Sequence, residues 1–305
     1  MVKSLITGID ISHQSIKAVV LKPEKDTFTL VSYHQMPIEA DIFTDNYRLN
    51  YQKIVKKLKE LRKALPLFSR KVCLSVPDSS VISKRLQIDS DLSDEECQFV
   101  ITRDFAQQSP VEVEALYLDF IALSHEKTQA KMDYQVYAIR KECIDTRRKP
   151  LLKSGFTPIL INPHSHNLIQ LWRRASRRSG NTNWLLMDVH SDCVALCFER
   201  EHLGVVYKEF PLEEEDSSLG KVLEPLLLNI ELIDAELEGV WLSGEANLFS
   251  QLTSLLLPRL GLPCMPLELC ALVDTKHQPK IGPQFAIALG LALSGAYWLE
   301  KHHAA

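Results

Sequence analysis

The feature that most constrains the fold of this chain is a pattern of β-type runs that occurs twice. Each copy has three runs of apolar and β-branched residues joined by two short polar turns, and two tight connections in succession favour an antiparallel meander. Two such meanders, each followed by helical patterns, predict two related α/β lobes. The runs lie at residues 5–11, 16–22 and 28–36 in the first copy and at 184–189, 193–199 and 204–210 in the second.

Length and local signals divide the chain further. A length of 305 residues fits two lobes better than one core. A polar, glycine-containing stretch precedes the second meander, so we place lobe 1 at residues 1–180 and lobe 2 at residues 181–305. Within lobe 1, Ser93 and Glu96 form a capping-box pattern that begins a helix, and two strand-like runs follow it. This helix and hairpin predict a small α+β subdomain inserted at about residues 84–149.

Composition and charge exclude several classes of protein. The formal net charge is −4, so the surface as a whole is not built to hold DNA, and direct DNA binding is not expected. No uncharged apolar run reaches the roughly 18 residues of a membrane span, and the amino terminus lacks the apolar region of a signal peptide. The seven cysteines are scattered without metal-ligand spacing, which indicates reduced thiols in the cytosol and no metal site. No spacing typical of a catalytic nucleophile or a phosphate-binding loop occurs, so no catalytic residue is predicted.

Two polar turns in corresponding places of the two meanders are candidate anion-binding sites. Backbone N–H groups of a hairpin turn can hold phosphate, and an aspartate at the end of the preceding strand can hold hydrated Mg²⁺. Such turns favour glycine or other small residues, because the N–H groups must face the ligand. The candidate residues are Asp10, Ser12, His13, Gln14, Ser15 and Lys17 in the first turn and Asp188 and His190 in the second.

These turns resemble the two phosphate turns of the actin-like superfamily, and a later segment resembles the carboxy-terminal helix of its PilM/HofM/ComA group, which is related to the cell-division protein FtsA. The resemblance implies an actin-like, ribonuclease H-like fold in two lobes. It also implies a role in type IV pilus assembly, competence and DNA uptake or utilisation. The matching positions are Gly8, Asp10, Ser15 and Lys17 in the first turn, Asp188 in the second, Gly244 in the adenosine motif, and residues 283–293 in the terminal helix.

Several positions depart from the pattern of this family. Ser12 and His190 stand where the family has a glycine after each aspartate, and Glu245 stands where it has the second glycine of the adenosine motif. Each change adds bulk or charge where a nucleotide would lie. The resemblance with these departures implies a degenerate nucleotide cleft, so we expect no ATPase activity and at best weak binding of ATP and Mg²⁺. The stretch between residues 210 and 226 is also short for the family, which implies a reduced small subdomain in lobe 2.

The resemblance implies a binding scaffold rather than an enzyme. In the family, the protein lies at the cytosolic face of the inner membrane and binds the short cytoplasmic tail of a PilN-like membrane protein. The groove lies between the first subdomain and the inserted one. In this chain we expect it to lie near residues 72–85 and the helix at residues 96–108, with Phe99, Arg103 and Phe105 as candidate contacts. Phe99 and Phe105 do not share a helix face, so we expect one of them to be available to a peptide; the alternative is that both pack under the inserted hairpin.

Two other functions stay open from the sequence. An actin-like ATP-binding protein or ATPase with nucleotide-regulated assembly would need a phosphate-compatible turn in both lobes, which His190 disfavours. A membrane-bound polymer former like FtsA would need an amphipathic anchor, and the tail at residues 297–303 is short for one. A group of arginines at the end of a predicted helix either complements the helix dipole or meets a membrane or nucleic acid. These are Arg173, Arg174, Arg177 and Arg178.

Overall fold

The structure is a computed structural model that describes residues 4–25, 27–44, 48–123, 130–200, 204–212, 224–228, 230, 237–275 and 280–303. Its first half contains β1 (Ile6–Ile11), β2 (Ser15–Pro23), β3 (Phe28–Pro37), β4 (Phe43–Thr44), β5 (Arg48–Leu49), α1 (Tyr51–Ala64), β6 (Lys71–Val76), β7 (Val81–Asp89), α2 (Asp94–Gln108), β8 (Leu116–Ala122), β9 (Lys131–Arg140), α3 (Lys141–Lys153), β10 (Thr157–Pro163) and α4 (His164–Ser179). Its second half contains β11 (Trp184–Val189), β12 (Cys193–Arg200), β13 (Gly204–Pro211), β14 (Gly239–Gly244), α5 (Phe249–Leu260), β15 (Cys264–Pro266) and α6 (Ala286–His303).

Two separate five-stranded sheets have the same strand order. The first runs β10-β6-β1-β2-β3 and the second runs β15-β14-β11-β12-β13. In both, an antiparallel meander of three strands is extended, on the side of its first strand, by two parallel strands. This repeated topology confirms the prediction of two related α/β lobes.

The inserted subdomain is a three-stranded antiparallel sheet, β7-β9-β8, with α2 packed on one face. The predicted capping box is present, since the Ser93 side chain accepts a hydrogen bond from the Glu96 backbone and the Glu96 carboxylate accepts one from the Ser93 N–H. The predicted bounds of 84–149 need correction at both ends. At the first end, strand β7 already begins at Val81. At the other end, α3 belongs to lobe 1, since it packs on α1 and β10 and its Leu151 is buried in the core of that lobe.

The helix α6 corrects the predicted extent of lobe 2, because it packs on β1, β2 and β6 of the first sheet and on α4. Its buried residues surround the helix, so it needs apolar partners on more than one side. Two glycines permit the close approach: a Cβ at Gly8 would lie 1.9 Å from the Ala288 carbonyl oxygen, and a Cβ at Gly290 would lie 2.5 Å from the Asn167 carbonyl oxygen.

The predicted reduced subdomain of lobe 2 falls mainly on residues 213–223, which lie outside the described residues. After this stretch, residues 224–228 and 230 are described, and they are helical. Across the described ranges, no helix is both long and apolar enough to cross a membrane, and His, Cys, Asp and Glu side chains nowhere form a group of three that could hold a metal ion.

Candidate functional site

The two turns identified from the sequence are built alike. In the first, the Ser12 backbone N–H donates to the Ser15 carbonyl at 3.0 Å, and in the second the His190 N–H donates to the Cys193 carbonyl at 2.8 Å. Each turn follows the first strand of its meander, so the repeat extends from topology to hydrogen bonding. The two lobes therefore present equivalent turns to the cleft.

A buried aspartate precedes each turn, and each one accepts a hydrogen bond from a serine on the neighbouring parallel strand. Ser75 Oγ donates to Asp10 Oδ1 at 3.3 Å, and Ser243 Oγ donates to Asp188 Oδ1 at 2.5 Å. Sequence reasoning missed both serines. The available signal was a serine near the end of β6 and of β14, the strands that pair with the first strand of each meander.

The tips of the two turns are hydrogen-bonded to each other across the cleft. Gln14 Nε2 donates to Ser191 Oγ at 2.6 Å. Ser191 also donates to Glu245 Oε1 from both its backbone N–H and its hydroxyl, each at 3.3 Å. A backbone N–H of this turn, which could serve a phosphate, already faces a carboxylate of the chain itself.

His190 is directed back toward the aspartate of its own turn. Its Nε2 lies 2.8 Å from Asp188 Oδ2, and its Nδ1 lies 3.9 Å from Glu245 Oε1. Burial lowers the pKa of His190, but the charge and hydrogen bond of Asp188 outweigh burial and raise this pKa to about 9. Burial raises the pKa of Asp188, but His190, Ser243 and Lys17 together hold it below its usual value. At neutral pH the pair is an imidazolium and a carboxylate.

The ion pair of Asp188 and His190 should make stability depend on pH. Because the folded pKa of about 9 exceeds the unfolded value of 6.5, the contribution of His190 is complete below pH 6.5 and is lost as pH rises to 9. Between pH 6 and pH 9, we expect wild type to lose about 2–3 kcal/mol more free energy of unfolding than His190→Gln, which keeps a hydrogen-bond donor without the charge. Urea unfolding at both pH values checks this, and equal losses in the two proteins would contradict it.

Two further predicted residues of the cleft, Lys17 and His13, have different surroundings. Lys17 is buried, and its positive charge lowers the pKa of both Asp188 and His190, so it lies within electrostatic reach of the second turn. His13 stacks on Phe43 instead, with 4.2 Å between ring centroids.

Gly244 is required by its backbone conformation. Its φ is +93°, and a Cβ there would lie 2.1 Å from the Val189 carbonyl oxygen. The next residue, Glu245, donates its backbone N–H to the same carbonyl at 2.7 Å. The close contact between β14 and β11 therefore fixes the backbone position of Glu245.

Two side chains lie in the cleft beside the second turn. Glu245 places a carboxylate at the second turn, and His190 fills the space beside Asp188. A nucleotide would have to displace the Glu245 carboxylate from Ser191, and repulsion between like charges would oppose it.

The predicted arginine patch is partly used inside the molecule. Arg173 forms a bidentate ion pair with Glu199, at 2.7 and 2.5 Å. Arg174 donates to the Leu272 carbonyl and lies over the Phe28 ring, 4.8 Å from its centroid. Both side chains hold α4 against its neighbours, so they are poorly placed for an external anion.

In the inserted subdomain, the structure separates the two predicted phenylalanines. Phe105 is fully buried beneath the sheet with Ile101, so its prediction as a partner contact is wrong. Phe99 is 68% exposed, and Arg103 is exposed and pairs with Asp104 at 2.8 Å. Phe99 and Arg103 therefore stay predicted contacts of the partner peptide.

The face of the inserted sheet opposite α2 is open and partly apolar. Tyr117 and Ile121 on the edge strand β8 are 45% and 53% exposed. Tyr117 pairs in register with Ile139 of β9, and paired residues share a sheet face. Burial and the charge of Asp78, a residue of lobe 1, raise the pKa of Tyr137 on β9. Tyr137 pairs in register with Asp119 of β8 and so lies on the open face, within electrostatic reach of lobe 1.

Comparison with known proteins agrees with this fold. A PilM–PilN type IV pilus biogenesis complex matches with a TM-score of 0.78 and 20% identity, over 97% of this chain and 99% of that chain. EutJ, an ethanolamine utilization protein from Carboxydothermus hydrogenoformans, matches with a TM-score of 0.54 and 11% identity, over 95% and 89%. A Bacteroides thetaiotaomicron protein with an actin-like ATPase fold and unknown function matches with a TM-score of 0.51 and 12% identity, over 87% and 91%.

Together with the repeated sheets and paired turns, these matches define the class: the chain is a two-lobed α/β protein with the actin-like fold. The sequence also matches the family of type IV pilus assembly protein PilM over residues 8–195, which is more than half of the chain. The chain belongs to this family.

Proposed function

We propose that this chain is a scaffold of the type IV pilus assembly machinery, and that it binds the cytoplasmic tail of a PilN-like membrane protein at the cytosolic face of the inner membrane. The observation that carries the proposal is membership of the PilM family, supported by a fold match over nearly the whole length of the protein in a PilM–PilN complex. The exposed apolar residues Tyr117 and Ile121 of the inserted sheet offer a surface for such a tail.

The partner tail would dock on the open face of the inserted sheet. Strand β8 is an edge strand, so its free backbone groups can pair with an added extended segment. Tyr117 and Ile121 lie on its exposed side and would contact alternate side chains of the peptide. Because α2 packs on the opposite face, Phe99 and Arg103 would lie outside this contact.

In this proposal the nucleotide cleft is a structural joint between lobes and carries no ATPase activity. Gln14, Ser191 and Glu245 link the two turns by hydrogen bonds, and His190 neutralises Asp188. The fold would be kept for its surfaces rather than for nucleotide chemistry.

The second candidate is an actin-like ATP-binding protein whose assembly depends on the nucleotide. Three buried residues of the cleft favour it, because Asp10, Lys17 and Asp188 keep the charges that would serve Mg²⁺ and phosphate. The two candidates differ in whether Mg-ATP changes binding of the partner.

Fluorescence anisotropy with a labelled peptide of the PilN-like tail tests the scaffold proposal. We expect wild type to bind the peptide equally with and without Mg-ATP. Tyr117→Ala with Ile121→Ala should weaken binding at least tenfold, because each large apolar side chain that a peptide covers is worth about 1.5–3 kcal/mol.

Phe99→Ala with Arg103→Ala is the matched control, and it should change affinity less than about threefold, the size expected for residues outside the contact. If this pair abolishes binding and the β8 pair does not, the site lies on α2. Lack of peptide binding under all conditions would overturn the scaffold proposal. A tenfold or larger effect of Mg-ATP would favour the nucleotide-regulated alternative.

A further inference from the structure

One surface of lobe 1 is much more basic than the whole chain. Residues 51–71 contain eight lysines and arginines and one glutamate, although the formal net charge of the chain is −4. On α1, Lys56, Lys59 and Lys63 recur at helical spacing on the side opposite its buried stripe. All three are exposed, and within the part of the chain that the structure describes none of them has an acidic partner.

The loop after α1 exposes two adjacent apolar side chains beside these cations. Leu67 is 68% exposed and Phe68 is 78% exposed. The Arg62 guanidinium donates to the carbonyl oxygens of Pro66 and Leu67, which fixes the loop on the end of α1. The loop is therefore held in place while its apolar side chains face solvent.

Helix α3 extends this surface. Its last turns carry exposed Lys149, Leu152 and Lys153, and it packs beside α1. Lys63 and Leu67 line a shallow depression together with Gly155, which follows α3, so the carboxyl ends of the two helices lie together. We call the exposed residues Lys56, Lys59, Lys63, Leu67, Phe68 and Arg70 the basic apex.

Ordinary surface chemistry explains only part of the basic apex. Lysines often coat a solvated helix, and cations near the carboxyl end of a helix complement its dipole. Neither effect explains the exposed pair Leu67 and Phe68. Nucleic acid would use the cations but would gain little from an exposed leucine. Burial and the charge of Arg70 lower the pKa of Arg62, so Arg70 lies within electrostatic reach of the end of α1.

We propose that the basic apex binds the surface of an anionic lipid bilayer directly. The lysines and Arg70 would face the lipid phosphates, and Leu67 and Phe68 would enter the boundary between headgroups and acyl chains. This contact is separate from the partner tail, because residues 56–70 precede the inserted subdomain and the contact needs neither the open face of the inserted sheet nor the cleft. It would hold the scaffold at the membrane even without its partner.

Co-sedimentation of the full chain with lipid vesicles tests this proposal. We expect binding to phosphatidylcholine vesicles that contain about 30% phosphatidylglycerol, little binding to pure phosphatidylcholine, and loss of binding at high salt. Leu67→Ser with Phe68→Ser should weaken binding at least about tenfold. Lys56→Gln, Lys59→Gln and Lys63→Gln together, with Leu67 and Phe68 intact, should weaken binding roughly 100-fold, because each lysine near an anionic membrane contributes about 1 kcal/mol.

Two matched controls separate this surface from general charge and hydrophobicity. Phe99→Ser removes an equally exposed aromatic residue on the inserted subdomain, and it should leave binding unchanged. Lys25→Gln with Lys131→Gln and Lys280→Gln removes three exposed lysines elsewhere, and it should change binding less than about twofold.

Equal losses in the control and apex variants would overturn the proposal, and so would a lack of sedimentation with anionic vesicles. A duplex DNA probe that binds wild type, and loses affinity in the apex lysine variant but not in the Leu67 and Phe68 variant, would also overturn it in favour of nucleic acid. Because every apex substitution is at an exposed position, unchanged melting temperatures are expected for these proteins.

Discussion

Gly8→Ala should lower the free energy of unfolding by about 3 kcal/mol or more, although it adds a single methyl group. The Cβ would lie 1.9 Å from the Ala288 carbonyl oxygen and 2.7 Å from the Ala292 backbone nitrogen. Both are backbone atoms of α6, so no side-chain rotation can relieve the overlap. The helix would have to move away from β1, the strand that carries Asp10 two residues later.

Urea unfolding followed by circular dichroism measures this effect, and Gly282→Ala is the matched control. At Gly282 an added Cβ would lie 2.2 Å from the Gln284 side-chain oxygen, which can rotate away. We therefore expect the control to lose less than about 1 kcal/mol. If Gly8→Ala loses no more free energy of unfolding than Gly282→Ala, then α6 does not pack on β1 as closely as the distances at Gly8 indicate.

The two lobes could be predicted from sequence because each begins with a local pattern. Strand alternation and short turns need only neighbouring residues, and both meanders were found in this way. The helix α2 was also predictable, since the capping box of Ser93 and Glu96 is a local signal. The burial of Phe105 could have been predicted too, because Cys97, Ile101 and Phe105 recur at four-residue spacing on one helix face.

The placement of α6 could not be predicted, because it depends on contacts between distant parts of the chain. A helix that is apolar on all sides has no polar face to indicate its orientation. The helix makes close backbone contacts at Gly8 and Gly290, but a glycine in a sequence does not indicate which part of the chain approaches it. The predicted boundary of the inserted subdomain was wrong for a related reason, since α3 follows β9 directly in sequence but packs on α1.

The cleft combines predictable and unpredictable parts in the same way. The sequence identified both turns and the positions where glycine is replaced. It could not show that Glu245 reaches Ser191 or that Gln14 reaches Ser191 from the other lobe, because these residues are 54 and 177 positions apart. Replacement of glycine alone predicts less space for a nucleotide, whereas the structure shows that Glu245 accepts hydrogen bonds from Ser191, and that Ser191 in turn accepts one from Gln14 of the opposite turn.

His190→Gly with Glu245→Gly should therefore strengthen binding of Mg-ATP. Wild type is expected to bind more weakly than about 100 µM, because the Glu245 carboxylate occupies Ser191 and would face the phosphates of the nucleotide. Two unit charges about 4 Å apart interact by roughly 4 kcal/mol near a protein surface, so removing the repulsion and the bulk should increase affinity at least tenfold. Isothermal titration calorimetry measures both proteins.

Glu245→Gln separates charge from space, because glutamine keeps the size of the side chain and removes its charge. If repulsion dominates, this single variant should recover most of the gain; if space dominates, only the double glycine variant should bind more tightly. Loss of His190 also removes the cation beside Asp188 and leaves this buried carboxylate without its partner, which destabilises a protein. Circular dichroism at about 25 °C must therefore first show that the double variant is folded. A dissociation constant in the micromolar range for wild type, or no gain in either variant of a folded protein, would mean that Glu245 and His190 do not close the cleft to nucleotide.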